Sequence, residues 1–190
     1  MKIALDAGHG GVNPGAVGVN GLLEKTVNLN VALMTGQLLR QHANMDTCYT
    51  RSTDVDIPLA ERAAYANSVG ADYFVSVHCN SSANAAYNGT ETLVYMIESA
   101  AGRLAQSVQT ALVSEIGTKN NGITARPELA VLRRTLMSAI LIEAAFVSNP
   151  ADAGILQNRQ DAVARGVYRG ISAFLGITPI LPVRFTYQRY

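Results

Sequence analysis

Three short apolar runs each end on a residue able to do chemistry, and this repetition constrains the fold more than anything else in the chain. Ile3-Ala4-Leu5 leads through Asp6 and Ala7 into Gly8-His9-Gly10-Gly11. Tyr73-Phe74-Val75-Ser76-Val77 finishes on His78, and Ile140-Leu141-Ile142 finishes on Glu143. The second run has no polar alternation except Ser76, as expected of a parallel strand covered on both faces. In open α/β sheets, ligand sites gather beyond the carboxyl ends of the strands, which is where all three polar residues fall. Glycine permits backbone angles closed to other residues, so the glycines around His9 let the chain turn sharply and present the imidazole.

Helical periodicity separates these runs. Val27, Val31, Met34 and Leu38 mark an amphipathic helix over 24 to about 42, and Leu59, Ala63, Ala66 and Val69 a second that stops at Gly70. Ser99 caps a third, with Leu104, Ala105, Val108, Ala111 and Leu112 on one face. Asn149-Pro150 is an N-cap followed by a first-turn proline. The last helix starts at Asn158, with Val163, Val167, Ile171 and Phe174 inward and Gly166 and Gly170 expected to pack closely on the sheet. Further strands are expected at 46–51, 90–95 and 129–132, and a loop at 117–127. The strand at 90–95 follows a short loop without a crossover helix, which favours an antiparallel run. The alternation predicts an α/β fold, a single domain with a twisted, mostly parallel sheet of about six strands and helices on both faces. At 190 residues the chain suits one well-cored domain, read as 1–176, with a compositionally different tail at 177–190.

A formal net charge of +1 with only 15% charged residues gives no electrostatic case for nucleic acid. No apolar run approaches the ~20 residues of a membrane span, and the N-terminus lacks the basic-then-apolar pattern of a leader. Cys48 and Cys79 fit neither a disulfide framework nor a zinc-finger spacing. Cys79 adjoins His78, but neighbouring strand side chains face opposite ways, so it reads as a buried thiol and not a ligand.

Hydrolytic zinc sites draw three protein ligands from histidine and carboxylate and leave a fourth position for water. His9, Glu24 and His78 offer such a set from distant segments. Without an H-E-x-x-H motif, spacing alone leaves a second reading open, in which the histidines cap loops and Glu24 serves the helix dipole. A carboxylate ending an otherwise apolar strand, as Glu143 does, is costly unless it is used or is paired with an arginine such as Arg133 or Arg62. Asp6 is a candidate to orient His9, and Asn80 and Glu91 either contact substrate or brace loops.

Eight segments in order carry a resemblance: Asp6-Ala7-Gly8-His9-Gly10-Gly11, Gly21-Leu22-Leu23-Glu24-Lys25, Thr50-Arg51 with Asp54, Arg62 with Ala66-Asn67, Ser76-Val77-His78-Cys79-Asn80, Gly89-Thr90-Glu91, Val131-Leu132-Arg133, and Glu143-Ala144-Ala145-Phe146-Val147-Ser148-Asn149. Over 2–176 the chain resembles the zinc-dependent N-acetylmuramoyl-L-alanine amidases of the type-3 amidase family. The resemblance implies one zinc ion held by His9, Glu24 and His78, with Glu143 as the catalytic glutamate. Peptidoglycan is the implied substrate, cut between N-acetylmuramic acid and L-alanine. Action at the bacterial cell wall by a monomeric catalytic domain follows, either a phage endolysin or the catalytic part of an autolysin. The departures are Cys79, where a small residue is common, and Ala144-Ala145, where a small residue and glycine often stand. Some relatives carry an occluding helix before the strand that starts at Thr90. Here only 81–88 intervene, which predicts an open cleft. The rival expectations are a non-catalytic wall-binding module of the same fold and a zinc peptidase acting on stem peptides.

Overall fold

A computed structural model of the chain describes residues 1–180, so most of the expected tail, 181–190, lies outside the described residues. From β1 (Lys2–Ala7) the chain passes through the glycine loop and a 3-10 turn (Val19–Gly21) into α1 (Glu24–Leu39). It continues through β2 (Asp46–Tyr49), α2 (Leu59–Ser68), β3 (Tyr73–Asn80), β4 (Thr90–Val94) and α3 (Ala100–Ile116). β5 (Asn120–Ala125), α4 (Ala130–Arg133), β6 (Ser138–Phe146), α5 (Pro150–Asn158) and α6 (Gln160–Leu175) follow. The strands form one sheet in the order β2-β1-β3-β6-β4-β5. β2, β1, β3 and β6 are mutually parallel, and β4 runs antiparallel to β6 as its short connection requires.

Side-chain parity decides what each face of the sheet receives. Ile3, Leu5, Val75, Val77, Cys79, Ile140 and Ile142 enter a large core with α1, α3 and α6. Ala4, Phe74, Leu93, Ala139 and Leu141 enter a smaller one with Ala66 of α2 and Val131 and Leu132 of α4. Asp6, Ser76, His78, Glu91 and Glu143 continue that second parity towards the carboxyl ends of β1, β3 and β6. The sheet therefore turns its polar row to the more thinly covered face. Cys79 lies on the opposite side, 4% exposed.

Three expectations are corrected. The segment expected to be a loop at 117–127 contains β5, an edge strand that pairs with β4 alone. Its Asn-Asn-Gly start has none of the apolar content by which strands are recognised. The strand expected at 129–132 is instead α4, a single helical turn, because an apolar pair as short as Val131-Leu132 carries no period of its own. Gly166 and Gly170 pack not on the sheet but on α3. A Cβ at Gly166 would lie 2.8 Å from the Cα of Leu112, and one at Gly170 2.4 Å from the Cα of Val108. Gly170→Ala therefore gains helix propensity but forces α3 and α6 apart. We expect a net loss of about 1–3 kcal/mol, measured by urea unfolding. The predicted caps are present: Ser99 accepts from the Gly102 amide, and Asn149 from those of Ala151 and Asp152.

Candidate metal centre

The site starts at the carboxyl end of β1. His9 has φ 61°, the left-handed region that a residue with a Cβ enters at a cost of about 1–2 kcal/mol. Reciprocal backbone bonds between Gly10 and Asn13, 2.9 and 3.0 Å, close the turn that holds it there. Within that turn the Asn13 Oδ1 accepts from the Gly15 amide and also faces His9 Nδ1, each at 3.1 Å. The atom facing His9 is thus an acceptor, so Nδ1 carries the proton and Nε2 is free to act as a ligand. A Cβ at Gly15 would lie 2.5 Å from Glu24 Oε2 and 2.7 Å from the His9 ring, so this position must be bare.

Glu24 opens α1, 3% exposed, at the end of the helix where a carboxylate is favoured. Its Oε2 accepts the Ala16 amide at 2.8 Å, and its Oε1 accepts the Cys79 amide at 3.1 Å and Asn28 Nδ2 at 3.3 Å. His78 arrives from β3 with its ring against the Cα of Gly8. The two imidazoles meet edge to face, ring centroids 5.0 Å apart. His78 Nδ1 and His9 Nε2 point at Glu24 Oε1 from 3.0 and 3.2 Å. Burial would raise the Glu24 pKa, but hydrogen bonding to His78 and His9 pulls it well below the usual carboxylate range.

One ligand atom from each of the three residues lies within 4.8 Å of the others. Tetrahedral zinc with bonds of ~2.0–2.1 Å places its ligand atoms roughly 3.3 Å apart. Two imidazole nitrogens and a carboxylate oxygen at this spacing fit that ion. A lone pair on His9 Nε2 aimed at a carboxylate is repulsive unless positive charge lies between them.

Glu143 stands on β6 directly opposite His78 of β3 on one side and Glu91 of β4 on the other. Its Oε2 is buried without a hydrogen-bond partner. Burial pushes the carboxyl up, His78 opposes the rise, and the charges of Glu24 and Glu91 add to it, leaving the pKa at about 7. The expected alternative, a pairing with Arg62 or Arg133, is not what the structure contains. Arg62 is committed to Asp6 at 2.9 Å, and no ion pair joins Glu143 to an arginine among the described residues.

The lesser candidates fall elsewhere. Asp6 does not touch the His9 ring; it accepts from Arg62, from Thr50 Oγ1 at 2.6 Å and from Ser76 Oγ at 2.6 Å. Asn80 turns its Oδ1 to the Ser81 amide at 2.8 Å and braces the next loop. Glu91 accepts from the Thr124 hydroxyl beside Glu143. Asn13, Gly15 and Asn28 were not anticipated. The Asn-Pro-Gly turn just after His9 is the signal that marks the first two.

Burial would raise the Asp6 pKa, yet Arg62 and the Ser76 and Thr50 hydroxyls hold it below the ordinary 3.8. A depressed carboxyl adds stability above its unfolded-state pKa and loses it as pH falls through the folded value. Asp6→Asn leaves a buried guanidinium unpaired and should cost about 3–5 kcal/mol. Urea midpoints against pH check both statements, since the variant should show a shallower decline below about pH 4, with the share from Glu24 retained.

No helix lies between β3 and β4, so nothing of that kind covers the triad. A separate cavity of about 370 Å³ opens at the other end of β6, lined in part by Met96, Arg133 and Ser138, and holds none of these groups. Among the described residues, no helix is long and apolar enough to cross a membrane.

The fold is that of the amidase catalytic domains. The catalytic domain of CwlV, an N-acetylmuramoyl-L-alanine amidase from Bacillus (Paenibacillus) polymyxa var. colistinus, superposes with a TM-score of 0.87 at 34% identity, covering 93% of this chain and 99% of that one. The N-acetylmuramoyl-L-alanine amidase profile matches residues 3–173, and the chain belongs to that family. Its relatives include the amidase LytC of Bacillus subtilis (strain 168), 34% identical over 176 residues, 90% of this chain and 35% of LytC. The endolysin of Bacillus phage SPP1 is 34% identical over 181 residues, 91% of this chain and 65% of the endolysin. The chain thus spans about a third of LytC and just under two thirds of the endolysin.

Proposed function

We propose that residues 1–176 are a zinc-dependent N-acetylmuramoyl-L-alanine amidase acting as a monomer at the bacterial cell wall, with 177–190 a tail outside the catalytic unit. The observation that carries this reading is the convergence of His9, Glu24 and His78 beside the unpaired carboxyl of Glu143. The substrate is the amide between the lactyl group of N-acetylmuramic acid and the L-alanine of the stem peptide, as the names of the relatives suggest. Bound zinc would supply acidity to a water and polarise the carbonyl under attack.

The chain's own residues do the rest. His9 and His78 are held in direction, the first by the hydrogen bond that Asn13 Oδ1 accepts from its Nδ1 and the second by its edge-to-face contact with the His9 ring. Glu24 stays ionised, held by two amides and Asn28. Glu143 accepts the proton that water releases as it adds to the carbonyl carbon, then delivers that proton to the amide nitrogen as the C–N bond breaks. Without it the amine is a poor leaving group.

Digestion of purified peptidoglycan, with and without chelator, tests the reading. New L-alanine amino termini and free lactyl carboxylates, lost on chelation and restored by zinc, are expected. Cuts between amino acids would mean a peptidase. Wall binding without any new termini would mean a non-catalytic module.

A further inference from the structure

On the zinc reading above, the structure assigns Arg51 and Arg62 a positioning role: two buried guanidiniums set the metal ligands in place through their backbone. The carbonyls of Ala7, Gly8 and His9 are consecutive, and each accepts from one or both arginines. Arg51 gives Nε to Ala7 O at 2.8 Å and Nη2 to Gly8 O at 2.9 Å. Arg62 gives Nη1 to Ala7 O at 2.5 Å and Nη2 to His9 O at 2.8 Å. Both side chains are almost wholly buried, 3% and 2% exposed.

An extended strand points successive carbonyls in opposite directions, so gathering three in a row onto two planar forks requires the backbone to leave β geometry. It does so at His9, whose positive φ is the strained step. The same Arg51 Nη2 also reaches Lys25 O at 2.8 Å, the residue after Glu24. Arg51 thus ties the loop bearing one ligand to the helical turn bearing another. Arg62 is anchored behind the loop by Asp6 at 2.9 Å and by Ile57 O at 2.8 Å. Lysine keeps the charge but cannot reproduce this, because an ammonium is a compact point donor without a planar fork.

The test is metal binding by Arg51→Lys and Arg62→Lys, read on folded protein by chelator competition for zinc and by the visible spectrum of the cobalt-loaded chain. Zinc affinity should fall about tenfold to a hundredfold, and the cobalt bands should shift, while far-UV circular dichroism stays that of the wild type. Folded variants that bind zinc within about twofold of wild type, with an unchanged cobalt spectrum, would overturn the assignment and leave the arginines a purely structural role. If the lysine variants do not fold, Arg51→Ala and Arg62→Ala are refolded with guanidinium or ammonium salts at matched ionic strength. Recovery of the cobalt spectrum with guanidinium alone supports the role; no recovery, or equal recovery with ammonium, counts against it. A wild-type chain that binds neither metal defeats the zinc reading itself, which separates that failure from this one.

Discussion

Glu143→Gln lowers kcat by about 10²- to 10⁴-fold, keeps the fold and leaves zinc binding intact. The substitution is nearly isosteric and removes only the ability to take and return a proton. It also relieves the cost of a carboxyl whose Oε2 is buried without a partner, so the variant should unfold at equal or higher denaturant than wild type. That opposite movement of activity and stability is what a carboxylate retained for chemistry predicts. The pH dependence follows with a definite sign. The base must be ionised, so activity falls as pH drops through the Glu143 pKa. The protein alone places that value at about 7, and a dication nearby favours the ionised form, moving the acid limb below it. A kcat profile, with zinc binding measured on the same samples, checks both. Glu143→Gln within about tenfold of wild type would remove the residue from the mechanism.

Gly8→Ala cripples metal binding without replacing a ligand. A Cβ there would lie 2.2–2.6 Å from three atoms of the His78 ring. Nothing flexible yields at that contact: the ring is the ligand itself, and Gly8 N is fixed to Val77 O at 3.0 Å within the sheet. Displacing the imidazole by even an ångström takes Nδ1 out of the triad, and zinc affinity should drop by more than about a hundredfold. The fold should survive, since the clash lies beyond the last residue of β1 and both apolar cores are formed by other side chains. Zinc titration of the stripped variant, with its circular dichroism, measures the two effects separately. Full-affinity zinc binding would mean that His78 reaches the ion from another direction.

The strands that carry the candidate site were legible because short apolar runs lead up to His9, His78 and Glu143, although β3 and β6 run on past the last two to Asn80 and Phe146. The C-terminal rim of a parallel sheet then brings those ends together. Glu24 was legible for a different reason, as an acid in the first turn of a periodic helix. What stayed hidden belongs to the backbone. Carbonyl oxygens are alike at every residue, so nothing in Arg51 or Arg62 announces that they grip Ala7, Gly8 and His9. Asp6 misled in the same way: it stands three residues before His9, yet its parity carries it to Ser76, Thr50 and Arg62 instead of to the ring. β5 was missed because an edge strand with one neighbour tolerates a polar sequence. α4 was misread because two adjacent apolar residues, Val131 and Leu132, fit a helical and a strand period alike.

Zinc content per folded chain is the most direct measurement of the central claim. The chain is stripped with chelator, dialysed against zinc and assayed beside a His9→Ala, His78→Ala double variant of unchanged circular dichroism. About one zinc per wild-type chain, and less than about a tenth as much in the double variant, is the predicted result for a three-ligand site deprived of two ligands. A wild-type chain that takes up no zinc, or a double variant that holds as much as the wild type, would contradict it.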